Sequence, residues 1–75
     1  MRFLVTLKKH PDHIAANEYK HIDNRYQIFT AVSNREEPQD NRKKQIALEK
    51  AVRFAREQTG YPFTVPSCLE SIEIV

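Results

Sequence analysis

Three histidines, several acids and one cysteine are the side chains best suited to chemistry. His10 and His13 lie three residues apart with Asp12 between them, and His21, Asp23 and Cys68 complete the set. A structural zinc site normally uses two close pairs of Cys or His ligands. This chain has one such pair, interrupted by Pro11. The sequence therefore predicts exposed histidines in an irregular arm and no metal site.

Nucleophilic catalysis would have to use Cys68, the only cysteine. A reactive thiol needs a lowered pKa and a base within hydrogen-bond reach, and no spacing in the sequence brings these together. With Gly60 as the only glycine, a phosphate-binding glycine loop is not possible. We therefore predict a protein that is not an enzyme and has no cofactor. Cys68 is expected to be a small buried residue near a strand start, in a cytoplasmic protein without disulfides.

Residues 38–59 are predicted to form one amphipathic helix of about five turns. Pro38 suits the first turn, Asp40 is the expected N-cap, and Gly60 is the expected left-handed residue after the helix. The apolar side chains fall on one continuous arc, which is typical of a helix packed on a core. That arc contains Ala47, Leu48, Ala51, Val52, Phe54 and Ala55.

The opposite side of this helix is charged and suggests a nucleic-acid surface as one hypothesis. A row of cations is what phosphate contacts need. The candidate phosphate-binding residues are Arg42, Lys43, Lys50, Arg53 and Arg56. Glu49 and Glu57 lie among them, however, and the net charge of the chain is only +2. A solvated, salt-bridged helix face accounts for the same pattern.

Ile46 is the one apolar residue predicted to lie at the centre of the charged side. A single exposed apolar residue is common, but an apolar anchor inside a charged rim is also the anatomy of a small protein-binding patch. The candidate protein-binding residues are Arg42, Ile46, Glu49, Lys50 and Arg53.

Three segments alternate as strands do: residues 2–9, 25–33 and 69–75. In the last of these, Ile72 and Ile74 are expected to point inward. Residues 12–24 suit a short helix, a hairpin arm or a loop, and we favour a loop or extended arm. Residues 61–68 contain two prolines and are expected to form an extended strip, in which Tyr61 and Phe63 cover the core.

Together these elements predict a single α+β domain over residues 1–75. A right-handed connection from the second strand through the helix to the third makes those strands parallel. The first strand, apolar on both faces, then lies between them, which gives the order 2-1-3. The helix covers one face of this three-stranded sheet. The other face is expected to be bare, with Leu4, Thr6, Phe29 and Ala31 on it.

The sequence thus favours a non-catalytic small binding protein, an accessory or inhibitory factor that acts through protein–protein contact. Strand-strand-helix-strand layouts recur among small bacterial and phage-encoded proteins, which is an analogy of fold only. The partner would be another protein or a second copy of the chain, bound at the charged helix face, the bare sheet face or a sheet edge. The alternative is a nucleic-acid-binding module using helix 38–59. No apolar run approaches the length of a membrane span.

Overall fold

A computed structural model describes all residues from 1 to 75. It contains three strands, one long helix and two short 3-10 turns. In chain order these are β1 (Arg2–Lys8), the turns Pro11–His13 and Asn17–Tyr19, β2 (Arg25–Ala31), α1 (Asp40–Thr59) and β3 (Leu69–Ile74). The predicted α+β class is confirmed, and the molecule is elongated at 43 × 18 × 17 Å.

The sheet has the predicted order β2-β1-β3, with β1 antiparallel to both neighbours. Phe3, Val5 and Leu7 point from β1 toward the helix and are buried. The pairing with β3 is shifted between Thr6 and Leu7, which marks an irregularity of the bulge type. A strand with apolar residues on both faces is best placed in the centre of a sheet, as β1 is here.

Helix α1 ends as predicted but begins differently. Gly60 adopts φ 74°, in the left-handed region, and its N–H donates to the Arg56 carbonyl at 2.9 Å. The expected cap at Asp40 is wrong, because the helix is preceded by Gln39 in an extended conformation without a capping side-chain bond. Asp40 instead lies in the first turn, where a hydrogen bond from the Lys43 amine lowers the pKa of its carboxyl.

The helix rests on the sheet through alanines. Ala47, Ala51 and Ala55 are fully buried, and their small side chains leave the helix close to the sheet. Phe54 was expected on the same apolar arc, but it is about half exposed, since it lies at the margin of that arc. The helix packs across β1 and β2 and leaves β3 at the margin.

This position of the helix explains the exposure of β3. Ile72 packs against the core as predicted. Ile74 lies opposite Phe3 on the helix side, as expected, but it is 69% exposed because α1 packs across β1 and β2. On the opposite sheet face, the expected exposure of Thr6 is wrong. It is buried beside Gln27, whose side-chain amide donates to the Thr6 hydroxyl at 3.3 Å.

Residues 60–68 close the core at the C-terminal end of α1, and Tyr61 and Phe63 are buried there as predicted.

The arm between β1 and β2 is the expected irregular segment, with two 3-10 turns, and Ile22 anchors it in the core. The buried Lys9 amine also holds it by donating to the Tyr19 carbonyl at 3.1 Å. The chain contains no helix that combines the length and the apolarity required to cross a bilayer.

Candidate protein-binding surfaces

The charged side of α1 does not present Ile46 as an exposed anchor. Ile46 is half-buried and packs against the hydrophobic core. The expected position of Ile46 as an exposed anchor is therefore wrong, because its side chain packs against the core. An anchor for a partner has to be sought elsewhere.

Lys43 is also placed differently from the expectation of an exposed cation. Its side chain is buried, and its amine donates to the side chains of Asn34 and Asp40. The connector after β2 lies against the first turns of the helix, and its Asn34 side chain accepts the hydrogen bond from the Lys43 amine. Lys43 therefore holds the connector in place and is not exposed for phosphate.

Lys50 is likewise held by hydrogen bonds within the fold. Its amine donates to the Ala31 carbonyl at 3.0 Å and to the Glu36 carboxylate. The hydrogen bond from Lys50, helped by the Ser33 N–H, holds the pKa of Glu36 below its ordinary value. This cluster ties the middle of α1 to the end of β2.

Arg42, Glu49, Arg53 and Arg56 are the predicted binding residues that remain exposed. Arg42 lies 4.0 Å from the Glu37 carboxylate, and the Arg56 guanidinium donates to the Phe63 carbonyl at 2.7 Å. A shallow groove of about 290 Å³ brings three of the four together beside the strip at residues 60–68. Its lining residues are Gln45, Leu48, Glu49, Val52, Arg53, Arg56 and Val65.

The most apolar open surface lies on the sheet face away from the helix. The register places Leu4 opposite Phe29 and Arg2 opposite Ala31, at the end where β1 begins. Phe29 is 73% exposed and Val75 is 56% exposed, and both line a shallow depression of about 380 Å³. We call Leu4, Phe29, Ala31 and Val75 the open-face patch. The sequence pattern identified the first three of these, but not Val75.

Charged groups border the open-face patch. Arg2 lines the depression itself. Farther along the same face, the Arg25 guanidinium donates to the Glu70 carboxylate at 2.9 Å. Glu73 lies directly opposite Leu4 in the register with β3. An aromatic side chain near the centre and charges of both signs around it match the organisation of a small protein interface.

The histidine pair has a structural role at the other end of the molecule. The buried Tyr61 hydroxyl accepts the His10 N–H at 2.8 Å and lies 2.7 Å from Nδ1 of His13. Since the N–H can only donate, the phenol hydrogen is free for His13. The Tyr61 ring also packs edge-on against Tyr19, with centroids 4.9 Å apart. These contacts join the arm to the core.

Cys68 is a free, buried thiol at the start of β3, with the Thr64 hydroxyl 3.9 Å from its sulfur. Its position is the small buried one that the sequence predicts. No group of three or more His, Cys, Asp or Glu side chains is gathered in a way that suits a metal ion.

The buried phenol predicts a specific pH dependence of stability. Burial raises the pKa of Tyr61 above its ordinary value of 10.0. At neutral pH, Tyr61→Phe is expected to cost about 1–3 kcal/mol, because the His10 N–H loses its acceptor. Above pH 10 the tyrosine ionises in the unfolded chain before it does in the folded one. The wild-type protein therefore loses stability, by about 1.4 kcal/mol per pH unit until the folded pKa is reached.

Urea unfolding of wild-type protein and Tyr61→Phe from pH 7 to pH 11 measures this effect. Tyr19 and Tyr26 are present in both proteins, so the difference between the two stabilities isolates Tyr61. That difference should shrink as the pH rises above 10. A difference that stays constant over this range contradicts the role given to the Tyr61 phenol.

Comparison of the chain with protein-family models found no match, and comparisons with curated proteins and with solved structures found no significant match. The case for a function therefore depends on the chain's own geometry.

Proposed function

We propose that the chain is a non-catalytic binding protein that acts through protein–protein contact at the open-face patch. The observation that supports this most strongly is Phe29, an aromatic side chain 73% exposed in the middle of a strand. Phenylalanine buries a large apolar area when a partner covers it, at about 25 cal/mol per Å². A solvent-facing strand position gains nothing comparable from the fold itself.

The neighbours of Phe29 strengthen the case. Ala31 and Val75 extend the apolar surface, and Arg2 adds a charge at its border. Strands β1 and β2 hold Arg2, Phe29 and Ala31, and Val75 is held beside them by its backbone hydrogen bond to Arg2, so a partner meets a surface that is already ordered. Binding to a preorganised surface costs less conformational entropy than ordering a loop. This supports a contact that uses the sheet face in preference to the charged helix face.

The proposed role is that of an accessory or inhibitory factor, which alters another protein by occupying part of its surface. A cytoplasmic setting belongs to the same proposal. It is supported by the free thiol of Cys68, since a reducing compartment keeps such a thiol unpaired.

Affinity capture from the native host with two phenylalanine variants tests the open-face patch. Phe29→Ser removes the aromatic anchor, while Phe54→Ser removes a half-exposed phenylalanine on the helix and is the matched control. We expect Phe29→Ser to weaken capture of a specific partner at least about tenfold, which corresponds to about 1.4 kcal/mol. Phe54→Ser should capture that partner as the wild-type protein does. Equal capture by all three proteins contradicts the proposal.

Nucleic-acid binding by helix 38–59 is the alternative, supported by the exposed guanidinium groups of Arg42, Arg53 and Arg56. Since the amines of Lys43 and Lys50 are already hydrogen-bonded within the chain, fewer cations are free for phosphates. A phosphate-driven mode predicts mobility shifts of generic DNA or RNA that weaken steeply as salt increases. Arg53→Gln with Arg56→Gln should reduce that salt dependence. If low salt gives no shift at high micromolar protein, this alternative is excluded.

A further inference from the structure

The outer edge of β3 presents unpaired backbone groups. The Val75 N–H donates to the Arg2 carbonyl at 3.0 Å, and the register pairs Glu73 with Leu4 and Ser71 with Thr6. In an antiparallel ladder, successive residues direct their N–H and C=O groups to opposite sides. Since Ser71 and Glu73 bond toward β1, the backbone groups of Ile72 and Ile74 point away from the sheet.

The side chains along this edge leave it open. Ile74 is 69% exposed on the helix side, and α1 packs across β1 and β2 without covering β3. Natural edge strands are commonly protected by lysine, proline or a covering element. β3 contains neither lysine nor proline. Its two glutamates are the only charges along it, and the isoleucines remain accessible.

The outer edge of β2 is more protected. Val32 exchanges hydrogen bonds with Met1, so the same alternation directs the backbone groups of Ala31 outward. The Lys50 amine already occupies the Ala31 carbonyl at 3.0 Å. A lysine bound at this position blocks that end of the strand for pairing. Of the two sheet edges, the edge of β3 is therefore the more accessible to a further strand.

We propose that β3 pairs in antiparallel orientation with β3 of a second copy, around a two-fold axis at Ile72. In this register Ile72 lies opposite its own counterpart, and Ile74 lies opposite Glu70 of the other copy. Glu73 then faces Ser71. The neighbouring register would set Glu73 opposite Glu73, and like charges directly opposite each other destabilise a strand pair. Charge thus excludes the axis at Glu73 and is compatible with the axis at Ile72.

The dimer would form one continuous sheet of six strands, a common size for a sheet. On the helix side, Ile72 and Ile74 of both copies would make one apolar strip in the gap between the two helices. A single short strand pair is a small interface, below the roughly 1,200 Å² of a standard complex. We therefore expect a reversible dimer with a dissociation constant between about 10 µM and about 1 mM. This inference goes beyond the proposed function, because the edge of β3 does not include Phe29.

Sedimentation velocity at protein concentrations from about 10 µM to about 1 mM tests the dimer. The mass of the wild-type protein should rise from 8.8 kDa toward twice that value. Ile74→Pro removes an outward N–H without removing a bond to β1, and it should raise the dissociation constant at least tenfold. Gln27→Pro removes an outward N–H at the edge of β2, together with the side-chain hydrogen bond to Thr6, and is the control, expected to dimerise like the wild-type protein.

Three results would overturn the inference: a wild-type monomer at every concentration, dimerisation of Ile74→Pro at wild-type strength, or loss of the dimer in Gln27→Pro with the fold intact by circular dichroism.

Amide chemical shifts of the wild-type protein provide a measurement that does not depend on variants. With rising concentration the Ile72 and Ile74 amides should shift and those of Gln27 and Phe29 should not; the reverse pattern contradicts the inference. A monomeric result leaves the Phe29 capture experiment unaffected.

Discussion

Phe63→Ala is expected to remove about 3–5 kcal/mol from the free energy of unfolding. Phe63 is fully buried, and its ring packs against Tyr61 with centroids 4.7 Å apart and against Tyr26 with centroids 6.1 Å apart. A domain of 75 residues has a total stability of about 4–11 kcal/mol. The loss of this one ring should therefore remove a large share of the total stability.

Urea unfolding measures this loss, and Val65→Ala is the control from the same strip. Val65 is 43% exposed, so its truncation should change stability by less than about 1 kcal/mol. If Phe63→Ala costs no more than Val65→Ala, residues 60–68 do not act as a lid on the core.

Ala51→Leu is expected to destabilise the domain by about 1–3 kcal/mol for the opposite reason, an excess of volume. Ala51 is fully buried where the helix rests on the sheet, between Ala47 and Ala55 on the same stripe. A leucine there must push the helix away from the sheet or adopt a strained rotamer. Leucine has no helix-propensity disadvantage large enough to explain such a loss.

Gln58→Leu is the matched control, because it adds a leucine at an exposed position of the same helix. Its effect on stability should stay within about 0.5 kcal/mol. Thermal unfolding of the two variants measures the difference. Equal melting temperatures would contradict the close packing of the alanine stripe on the sheet.

The fold could be predicted from the sequence because its signals are local and agree with one another. The apolar period in residues 47–55 indicates a helix, and Gly60 marks its end. The apolar residues on both faces of β1 indicate a central strand, and this fixes the order of all three strands. Each of these signals depends on the spacing of residues within one element.

The details that could not be predicted depend on how the elements meet. A wheel places Lys43 and Ile46 on the charged side of the helix. In the fold, Lys43 is buried with its amine bonded to Asn34 of the connector after β2, and Ile46 packs against the core. The exposure of Ile74 follows from the helix lying over β1 and β2, which no periodicity in β3 reveals.

The candidate surface could be predicted from the sequence only in part. Alternation along β2 places Phe29 on the face away from the helix, and the sequence identifies it for that reason. The contribution of Val75 depends on the register between β1 and β3, which includes an irregularity at Thr6 and Leu7. The proximity of Arg2 to Val75 is likewise a property of the folded sheet.

Site-specific photo-crosslinking in the native host is the most direct test of the central claim, which is protein binding at the open-face patch. A benzoylphenylalanine placed at position 29 keeps an aromatic ring at the proposed contact, and the same residue at position 54 reports on the helix. Position 29 should give a discrete adduct with another protein, and position 54 should not. No adduct at position 29, or the same adducts at both positions, would contradict the account.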